Sequence, residues 1–147
     1  MQLSDSQVAI EKYLKKHHVL TLCAAAEGDL WCANCFYVVE PGQMTLLLMT
    51  ELKTRHGTLM AQQPRVSGTI AAQPKTVALI KGVQYSGWVE QLTGEAEQVG
   101  RALYCQQFPV ARAMPSPLWR LSLDEIKMTD NTLGFGKKRY WQRENLA

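Results

Sequence analysis

One short apolar run, closed on both sides by turn-forming or polar residues, constrains the fold of this chain most. Residues Met44 to Met49 carry no charge, follow the turn signal Pro41-Gly42 and end at Thr50. The run is too short for a typical helix, and its boundaries favour a buried strand. Comparable short runs recur along the chain, and none approaches the ~20 apolar residues of a membrane helix. The pattern therefore predicts a mainly β (α+β) protein.

Periodicity along the rest of the chain predicts tightly connected strands with helices at the periphery. Ser4 and Gln7 have the spacing of a capping box at the start of a helix. Gly28-Asp29 lies between two apolar runs and indicates a hairpin. The predicted helices span 5–17, 54–63 and the segment from a Thr93 cap to before Pro109, with Val99, Ala102 and Leu103 on its apolar side. The predicted strands span 19–26, 30–39, 44–50, 65–72, 76–92 (one bent strand or a pair, with Gly82 and Gly87 as bulges or close approaches) and 118–129 (with a β-bulge at Asp124-Glu125).

Six or seven such strands with about three helices predict a closed antiparallel barrel. At 147 residues, the chain is expected to form one domain over 1–147. The net charge of +3 does not indicate a nucleic-acid partner. The N-terminus lacks a basic start and an apolar core, so we expect a cytoplasmic protein, no membrane partner and free thiols.

A candidate anion site follows the buried strand. Thr54, Arg55 and His56 come at the start of the predicted short helix. Helix N-terminal amides favour negative charge, and a guanidinium matches the oxygens of a phosphate. The alternative is an ordinary helix start, with Thr54 as a cap and Arg55 as a surface charge.

This stretch resembles the phosphate-binding turn of the pyridoxamine-phosphate-oxidase-like, FMN-binding split-barrel proteins. In that family a strand ends in a threonine, a Ser-Arg-Lys triplet follows four residues later, and a short helix leads to a proline. Here the threonine is Thr50, the triplet is Thr54-Arg55-His56 and the proline is Pro64. The resemblance implies that the triplet holds the flavin phosphate and that Thr50 contacts the ribityl chain or ring edge.

The whole chain also resembles small uncharacterised bacterial proteins of the YhbP type, which are placed among the split barrels. That group has no settled reaction, so the resemblance supports fold and cofactor more than chemistry. The stretches that carry it are spread over nearly the full length: 30–34, 53–56, 73–80 and 130–138.

The resemblance implies an FMN-binding homodimer with the flavin at the subunit interface. It implies a flavin-dependent oxidoreductase that acts on a small molecule, with a nicotinamide as a candidate donor. The alternatives are a flavin-holding or sensing protein and a split barrel for another ligand such as haem. The oxidases place an arginine and a lysine on the second strand, where this chain offers only Asn34. The glutamine that family members use on a later strand falls nearest to Gly82, and Gln84 is the substitute candidate. Gln84 is equally typical of a barrel surface, and Trp88 on the same face is expected to pack.

Two further motifs have ordinary interpretations. Cys32 and Cys35 form a CxxC pattern, but residues three apart on a strand point to opposite faces, so their sulfurs are not expected to pair. The four cysteines, Cys23, Cys32, Cys35 and Cys105, are expected to be small core residues without a metal. The basic, aromatic segment 134–143 is expected to be a solvated terminus that packs one aromatic; closing over an anionic cofactor and binding single-stranded nucleic acid are its alternatives.

Overall fold

A computed structural model describes residues 4–144 of the chain. Within that range the protein forms seven β-strands and three α-helices, joined by turns and short 3-10 segments. The helices are α1 (Asp5–Lys16), α2 (Arg55–Gln62) and α3 (Gly94–Gln107). The strands are β1 (Val19–Ala26), β2 (Asp29–Glu40), β3 (Thr45–Met49), β4 (Arg65–Ala71), β5 (Lys81–Gln91), β6 (Leu118–Asp130) and β7 (Lys138–Gln142).

The strands form one antiparallel sheet that closes on itself. Their order is β3-β2-β1-β4-β5-β6-β7, and an additional pairing between β3 and β6 closes six of them into a barrel. One edge of β6 is shared, because β3 pairs with residues 118–122 and β7 pairs with residues 125–129. The fold is thus a seven-stranded split β-barrel with three helices, as predicted.

A β-bulge separates the two halves of β6. Ser86 pairs with Glu125 and the next residue, Gly87, pairs with Leu123, which leaves Asp124 as the extra residue. The predicted bulge at Asp124-Glu125 is confirmed. Gly87 lies at a point of close backbone approach, because a Cβ there would overlap the Ser122 carbonyl oxygen.

The main core fills the barrel, and two helices contribute to it. The N-cap of α1 is Ser4, whose Oγ accepts a hydrogen bond from the Gln7 amide at 3.1 Å, as the capping-box spacing predicted. Both α1 and α2 bury apolar residues in the barrel core, whereas α3 covers a second, smaller cluster on the other side of β3 and β6. The helical contributions to the barrel core are Ile10, Tyr13, Leu14, Leu59 and Met60.

The segment before β5 differs from the predicted long strand. Residues 77–79 form a 3-10 turn, and β5 begins only at Lys81. The Asn131 side-chain amide donates to the Val77 carbonyl at 2.9 Å, and the Asn131 backbone amide donates to the Ile80 carbonyl at 2.9 Å. These contacts with the β6–β7 connection hold the segment outside the β4–β5 ladder, which is why a strand over 76–80 was the wrong prediction.

Helix α3 buries only part of the predicted side. Leu103 packs on the second cluster, as predicted, but Val99 is 65% exposed and Ala102 is exposed; the buried residues are Gly100, Tyr104 and Cys105. Gly100 faces the barrel because a Cβ there would lie only 3.0 Å from a Leu118 methyl group. The small residue lets the helix approach β6 closely, and this rotates the predicted apolar side partly into solvent.

The basic C-terminal segment contributes the strand that the periodicity did not predict. Within β7, Trp141 packs on the barrel core, while Tyr140 is 63% exposed. The expectation that this segment packs one aromatic is therefore confirmed. Arg143 anchors its end, with its guanidinium donating to the carbonyl oxygens of Leu123, Gln43 and Met44.

Candidate functional site

The turn between β3 and α2 is built from backbone contacts to β6 and the segment before it. The Thr50 amide donates to the Pro117 carbonyl at 3.1 Å, and the Trp119 indole donates to the Thr50 carbonyl at 3.1 Å. Thr50 is only 3% exposed, and its Oγ1 has no hydrogen-bond partner of good geometry within residues 4–144. Burial raises the pKa of the adjacent Cys35 thiol, and the Thr50 hydroxyl acts weakly in the opposite direction. The Thr50 side chain therefore faces the interior of the protomer.

Thr54 is the N-cap of α2, the role that the alternative interpretation of the sequence, an ordinary helix start, assigned to it. Its Oγ1 accepts a hydrogen bond from the Gly57 amide at 3.0 Å and donates its proton to the Glu51 carbonyl at 2.8 Å. Gly57 is required beneath this cap, since a Cβ there would overlap the Glu51 carbonyl oxygen. The hydroxyl proton of Thr54 is thus used within the turn, which fixes the direction in which α2 begins.

Arg55 is the first residue of α2, and its guanidinium is held on two sides. It makes a two-pronged ion pair with the Asp29 carboxylate, in which Nε lies 3.2 Å from Oδ2 and Nη2 contacts Oδ1. The guanidinium carbon also lies 4.1 Å from the centre of the Trp31 ring, as in a cation–π contact. Half of the Arg55 side chain remains exposed. A planar cation is therefore oriented in advance and is accessible to solvent.

The electrostatics of this corner are mixed. Arg55 holds the pKa of Asp29 below its ordinary value, so the carboxylate is ionised at neutral pH. Within residues 4–144 no acceptor contacts the backbone amides of Arg55 or His56, which leaves two donors at the N-terminus of α2. An open groove of about 330 Å³ runs beside Arg55, and both Glu27 and Asp29 line it. An anion at Arg55 must therefore displace or outcompete Asp29.

His56 is half-buried beside the same helix start. Burial lowers the pKa of its imidazole below the ordinary value of 6.5. The side chain is therefore mostly neutral at pH 7, and it contributes less positive charge than a lysine at this position would. The imidazole gains its positive charge only when the solution is acidified and the ring takes up a proton.

Asn34 and Gln84 lie elsewhere, on the outward face of the sheet. They are exposed, and the register connects them in a lateral row, because Asn34 pairs with Thr21, Thr21 with Thr69, and Thr69 with Gln84. The Thr21 hydroxyl donates to Asn34 Oδ1 at 2.9 Å. Both predicted ring contacts thus share one face across four strands.

The structure does not bring that row into contact with Arg55. Trp31, which stacks on Arg55, and Asn34 are three residues apart on β2 and so point to opposite faces of the strand. The six predicted site residues therefore form two groups. Thr50, Thr54, Arg55 and His56 surround the start of α2, while Asn34 and Gln84 lie on the outward face of the barrel.

The outward face of β2, β1, β4 and β5 also carries large apolar side chains, and we call it the outer face. Leu30 is 64% exposed, Phe36 is 55% exposed and Trp88 is 54% exposed. The expectation that Trp88 packs within the protein is therefore wrong for the protomer. Apolar rings and hydrogen-bonding side chains lie together on this surface.

The cysteines divide in the same way. Cys35 and Cys105 are buried, as predicted for core residues, but Cys32 is exposed and Cys23 is half-buried. Cys32 does not belong to the core because it lies on the outward side of β2. No group of three or more potential metal ligands occurs within residues 4–144.

Sequence reasoning missed the two side chains that position Arg55. Asp29 was recognised only as a turn residue and Trp31 only as part of a resemblance, although both contact the guanidinium. No local pattern connects residues 26 positions apart. Only the packing of α2 against the β1–β2 hairpin brings them together.

Comparison with known proteins identifies close relatives over nearly the whole chain. The chain is 57% identical over 143 residues to the UPF0306 protein of Serratia proteamaculans, covering 97% of this chain and 99% of the relative. It is 56% identical over 143 residues to a UPF0306 protein of Yersinia enterocolitica, covering 97% of each chain. No family model matches the chain.

Solved structures of distant sequence share the fold. A heme-binding protein from Mycobacterium smegmatis superposes with a TM-score of 0.76 at 21% identity, over 97% of this chain and 59% of that longer one. A FAD-binding protein from Mesorhizobium loti gives 0.69 at 17% identity, over 86% and 94% of the two chains. A putative pyridoxamine 5′-phosphate oxidase from Listeria innocua gives 0.67 at 12% identity, over 83% and 96%. At these identities the likeness establishes the split-barrel fold alone.

None of the helices within residues 4–144 combines the length and apolar character needed to cross a membrane.

Proposed function

For this chain, which belongs to the UPF0306 family, we propose that the split barrel binds FMN with the flavin phosphate at Arg55. The observation that carries the proposal is the two-pronged contact between Arg55 and Asp29. A carboxylate presents two oxygens to a guanidinium in much the same way as a phosphate does. Asp29 therefore occupies the position that an anionic ligand would take.

The residues around Arg55 fit a phosphomonoester. The free amides of Arg55 and His56 add two donors at the start of α2, and the stacked Trp31 ring limits the motion of the guanidinium. Thr54 contributes by fixing the helix start, since its hydroxyl proton already bonds the Glu51 carbonyl. His56 would add positive charge only in its protonated form.

The flavin ring needs a second set of contacts, for which we propose the outer face. Asn34 and Gln84 supply amide donors and acceptors there, beside the exposed rings of Phe36 and Trp88. The Arg55 groove is open to solvent in the protomer. We therefore infer a homodimer in which a second copy covers the outer face and helps to enclose the ligand, with Thr50 inside the wall of the site rather than exposed to it.

Bound FMN would supply two-electron transfer, and the protein would supply orientation and polarity. We infer an oxidoreductase that acts on a small molecule, with a nicotinamide as a candidate electron donor. The alternative is a protein that holds or senses flavin without turnover. Anaerobic mixing of the FMN-loaded protein with NADH or NADPH distinguishes them, because rapid bleaching of the flavin absorbance requires a productive donor site.

The phosphate contact can be tested with two ligands that differ only in that group. FMN carries the phosphate and riboflavin does not. Arg55→Ala should therefore lower the affinity for FMN by about 10- to 100-fold, as expected for loss of a charge-assisted hydrogen bond, and leave the affinity for riboflavin nearly unchanged. Flavin fluorescence quenching measures both affinities. Arg112→Ala is the control, because Arg112 is an exposed arginine of the 3-10 segment 109–112, which belongs to neither the Arg55 corner nor the outer face. Equal FMN affinity in wild type and Arg55→Ala would refute the proposed phosphate site.

Haem is the second candidate ligand. It is suggested by the fold relative from Mycobacterium smegmatis that is described as heme binding, and by the lowered pKa of His56, which leaves a neutral imidazole as a potential iron ligand. Visible absorbance of the purified protein separates the two ligands, since a flavin gives a yellow protein and haem gives an intense Soret band.

We further infer that the chain is related to the uncharacterised bacterial proteins of the YhbP type. A cytoplasmic location agrees with the free thiols of the described structure, and fractionation of cells that produce the tagged protein would test it.

A further inference from the structure

Two cysteines face each other directly across the β1–β2 hairpin. The register pairs Cys23 on β1 with Cys32 on β2. The remaining two thiols are buried and lie apart from this pair, because Cys35 points inward from β2 and Cys105 lies on the buried side of α3. Cys32 therefore faces Cys23 and not Cys35, the other cysteine of the CxxC motif, and the strand register shows this.

The hydrogen-bond pattern of the hairpin determines how closely the two residues approach. The Tyr37 amide donates to the His18 carbonyl at 3.0 Å, and continuing the register places these two residues opposite each other as a hydrogen-bonded pair. Such pairs alternate with non-hydrogen-bonded pairs along an antiparallel ladder, so Cys23 and Cys32, five steps further on, form a non-hydrogen-bonded pair. The Cα atoms of such pairs lie roughly 4.5 Å apart. Disulfides span Cα separations of about 4.4–6.8 Å, so this pair can be bridged with little backbone movement.

The two thiols differ in accessibility. Cys32 is exposed, whereas Cys23 is half-buried between β2 and β4, opposite Ser67. Burial raises the pKa of the Cys23 thiol, and the neighbouring Cys32 side chain raises it further. Since the accessible thiol reacts first, Cys32 is the point of entry for a reagent from solution, and Cys23 is the resolving thiol beside it.

We propose that Cys23 and Cys32 form a reversible cross-strand disulfide by exchange with an oxidised low-molecular-weight disulfide of the glutathione type. The Cys32 thiolate attacks one sulfur of that disulfide, forms a mixed disulfide and releases one small thiol. Cys23, losing its proton to solvent, then attacks the Cys32 sulfur, which forms the Cys23–Cys32 bond and releases the second small thiol. One small disulfide is reduced to two thiols while the two protein thiols are oxidised to one disulfide, so electrons and protons balance.

This disulfide would lie on the hairpin that also carries Asp29 and Trp31, the two residues that hold Arg55. Cys32 is adjacent to Trp31 in sequence and lies on the same outward side of β2 as Asn34. Oxidation would therefore fix the two strands to each other next to the Arg55 corner. The pair forms a modification site that needs no bound flavin, so its existence is independent of the proposed function.

The experiment equilibrates the reduced full-length protein with buffers that contain different ratios of glutathione to glutathione disulfide. Samples are quenched in acid, alkylated under denaturing conditions and weighed by mass spectrometry, and peptide mapping identifies the linked residues. We expect the fully reduced protein to take up four alkyl groups, one for each cysteine, and the oxidised protein to take up two. The linked peptides should contain Cys23 and Cys32, and dithiothreitol should restore all four thiols.

Variants test the order of events. Cys23→Ser should stop the reaction at a glutathione adduct on Cys32, whereas Cys32→Ser should abolish both the adduct and the disulfide. Cys35→Ala is the matched control, because it removes the other half of the CxxC motif and should leave the reaction unchanged. The proposal is overturned if all four thiols remain alkylatable in the most oxidising buffer, if a stable adduct accumulates on Cys32 of the wild type, or if the linkage maps to another pair.

Discussion

The Asp29 carboxylate and the Arg55 guanidinium meet in a two-pronged ion pair between the β1–β2 hairpin and the start of α2. The corner therefore contains its own anion. A phosphate bound at Arg55 would compete with this carboxylate, so its affinity would reflect the difference between the two contacts.

Removal of the internal competitor should strengthen phosphate binding. Asp29→Asn abolishes the negative charge beside Arg55, and we expect FMN affinity to rise about twofold to fivefold, a modest change because exposed ion pairs contribute little. Fluorescence titration of FMN measures it. Glu95→Gln, which removes an exposed carboxylate from the first turn of α3, should have no effect. Weaker FMN binding by Asp29→Asn would show that this carboxylate supports the ligand rather than competing with it.

FMN binding should strengthen on moderate acidification through His56. Burial holds the pKa of this imidazole below 6.5, so the ring is neutral at about pH 8 and gains a proton as the pH falls through its lowered pKa. A bound phosphate favours the imidazolium, and affinity should therefore rise between about pH 8 and pH 6. His56→Asn should lose this component while retaining the titration of the FMN phosphate itself. Parallel pH profiles for the wild type and the variant would exclude His56 from the site.

The cap at Thr54 should stabilise α2 measurably. Thr54→Ala leaves the Gly57 amide without its acceptor and should lower the free energy of unfolding by about 1 kcal/mol. Urea denaturation measures the loss. Thr54→Ser keeps the hydroxyl, so it should restore most of the stability; equal losses in both variants would attribute the effect to the methyl group instead.

Acid should weaken the ion pair between Glu40 and Arg120. Burial raises the pKa of Glu40, but hydrogen bonds from Arg120 and Thr45 outweigh it, and the net pKa lies below the ordinary value of 4.5. The contribution is therefore complete above about pH 4.5 and is lost as the pH falls through the lowered pKa. Glu40→Gln should cost about 2 kcal/mol at pH 7, because it leaves the half-buried Arg120 with only the Glu90 carboxylate 3.7 Å away. Urea denaturation should show the difference from wild type shrinking at about pH 3, and a constant difference would contradict this assignment.

The outer face should mediate self-association. Phe36→Glu places a charge among the exposed apolar residues of the outer face, and we expect it to convert a dimer into a monomer, because desolvating the carboxylate is costly. Light scattering coupled to size-exclusion chromatography measures the mass. Phe135→Glu is the control, since Phe135 is 85% exposed in the β6–β7 connection, away from this face. A wild-type protein that is monomeric at all concentrations would refute the proposed pairing.

Local sequence patterns were sufficient to predict most of the helices and strands. The two halves of β6 showed opposite periodicities, and this alone predicted the bulge that the structure places at Asp124. The spacing of Ser4 and Gln7 predicted the first helix cap. In the site, the sequence placed Thr54 at the start of a helix and Arg55 directly after it, because capping preferences and the strand-to-helix transition are properties of neighbouring residues.

Periodicity failed where distant contacts decide the outcome. Residues 76–80 carry a strand-like composition, yet the hydrogen bonds of Asn131 draw them out of the sheet. The segment that becomes β7 appeared to be a solvated terminus, because its strand exists only through pairing with β6.

What the sequence determined by itself was thus the set of elements and the cationic helix start at Arg55, since both follow from residues close together along the chain. Only the tertiary structure decided what surrounds that cation and which thiols face each other. The packing of α2 on the hairpin brings Asp29 and Trp31 to Arg55, and the register of β1 against β2 places Cys23 opposite Cys32. The packing of α2 depends on burial in the barrel core, and the register depends on which two residues form the hairpin turn, Glu27 and Gly28, a position that the sequence pattern left open.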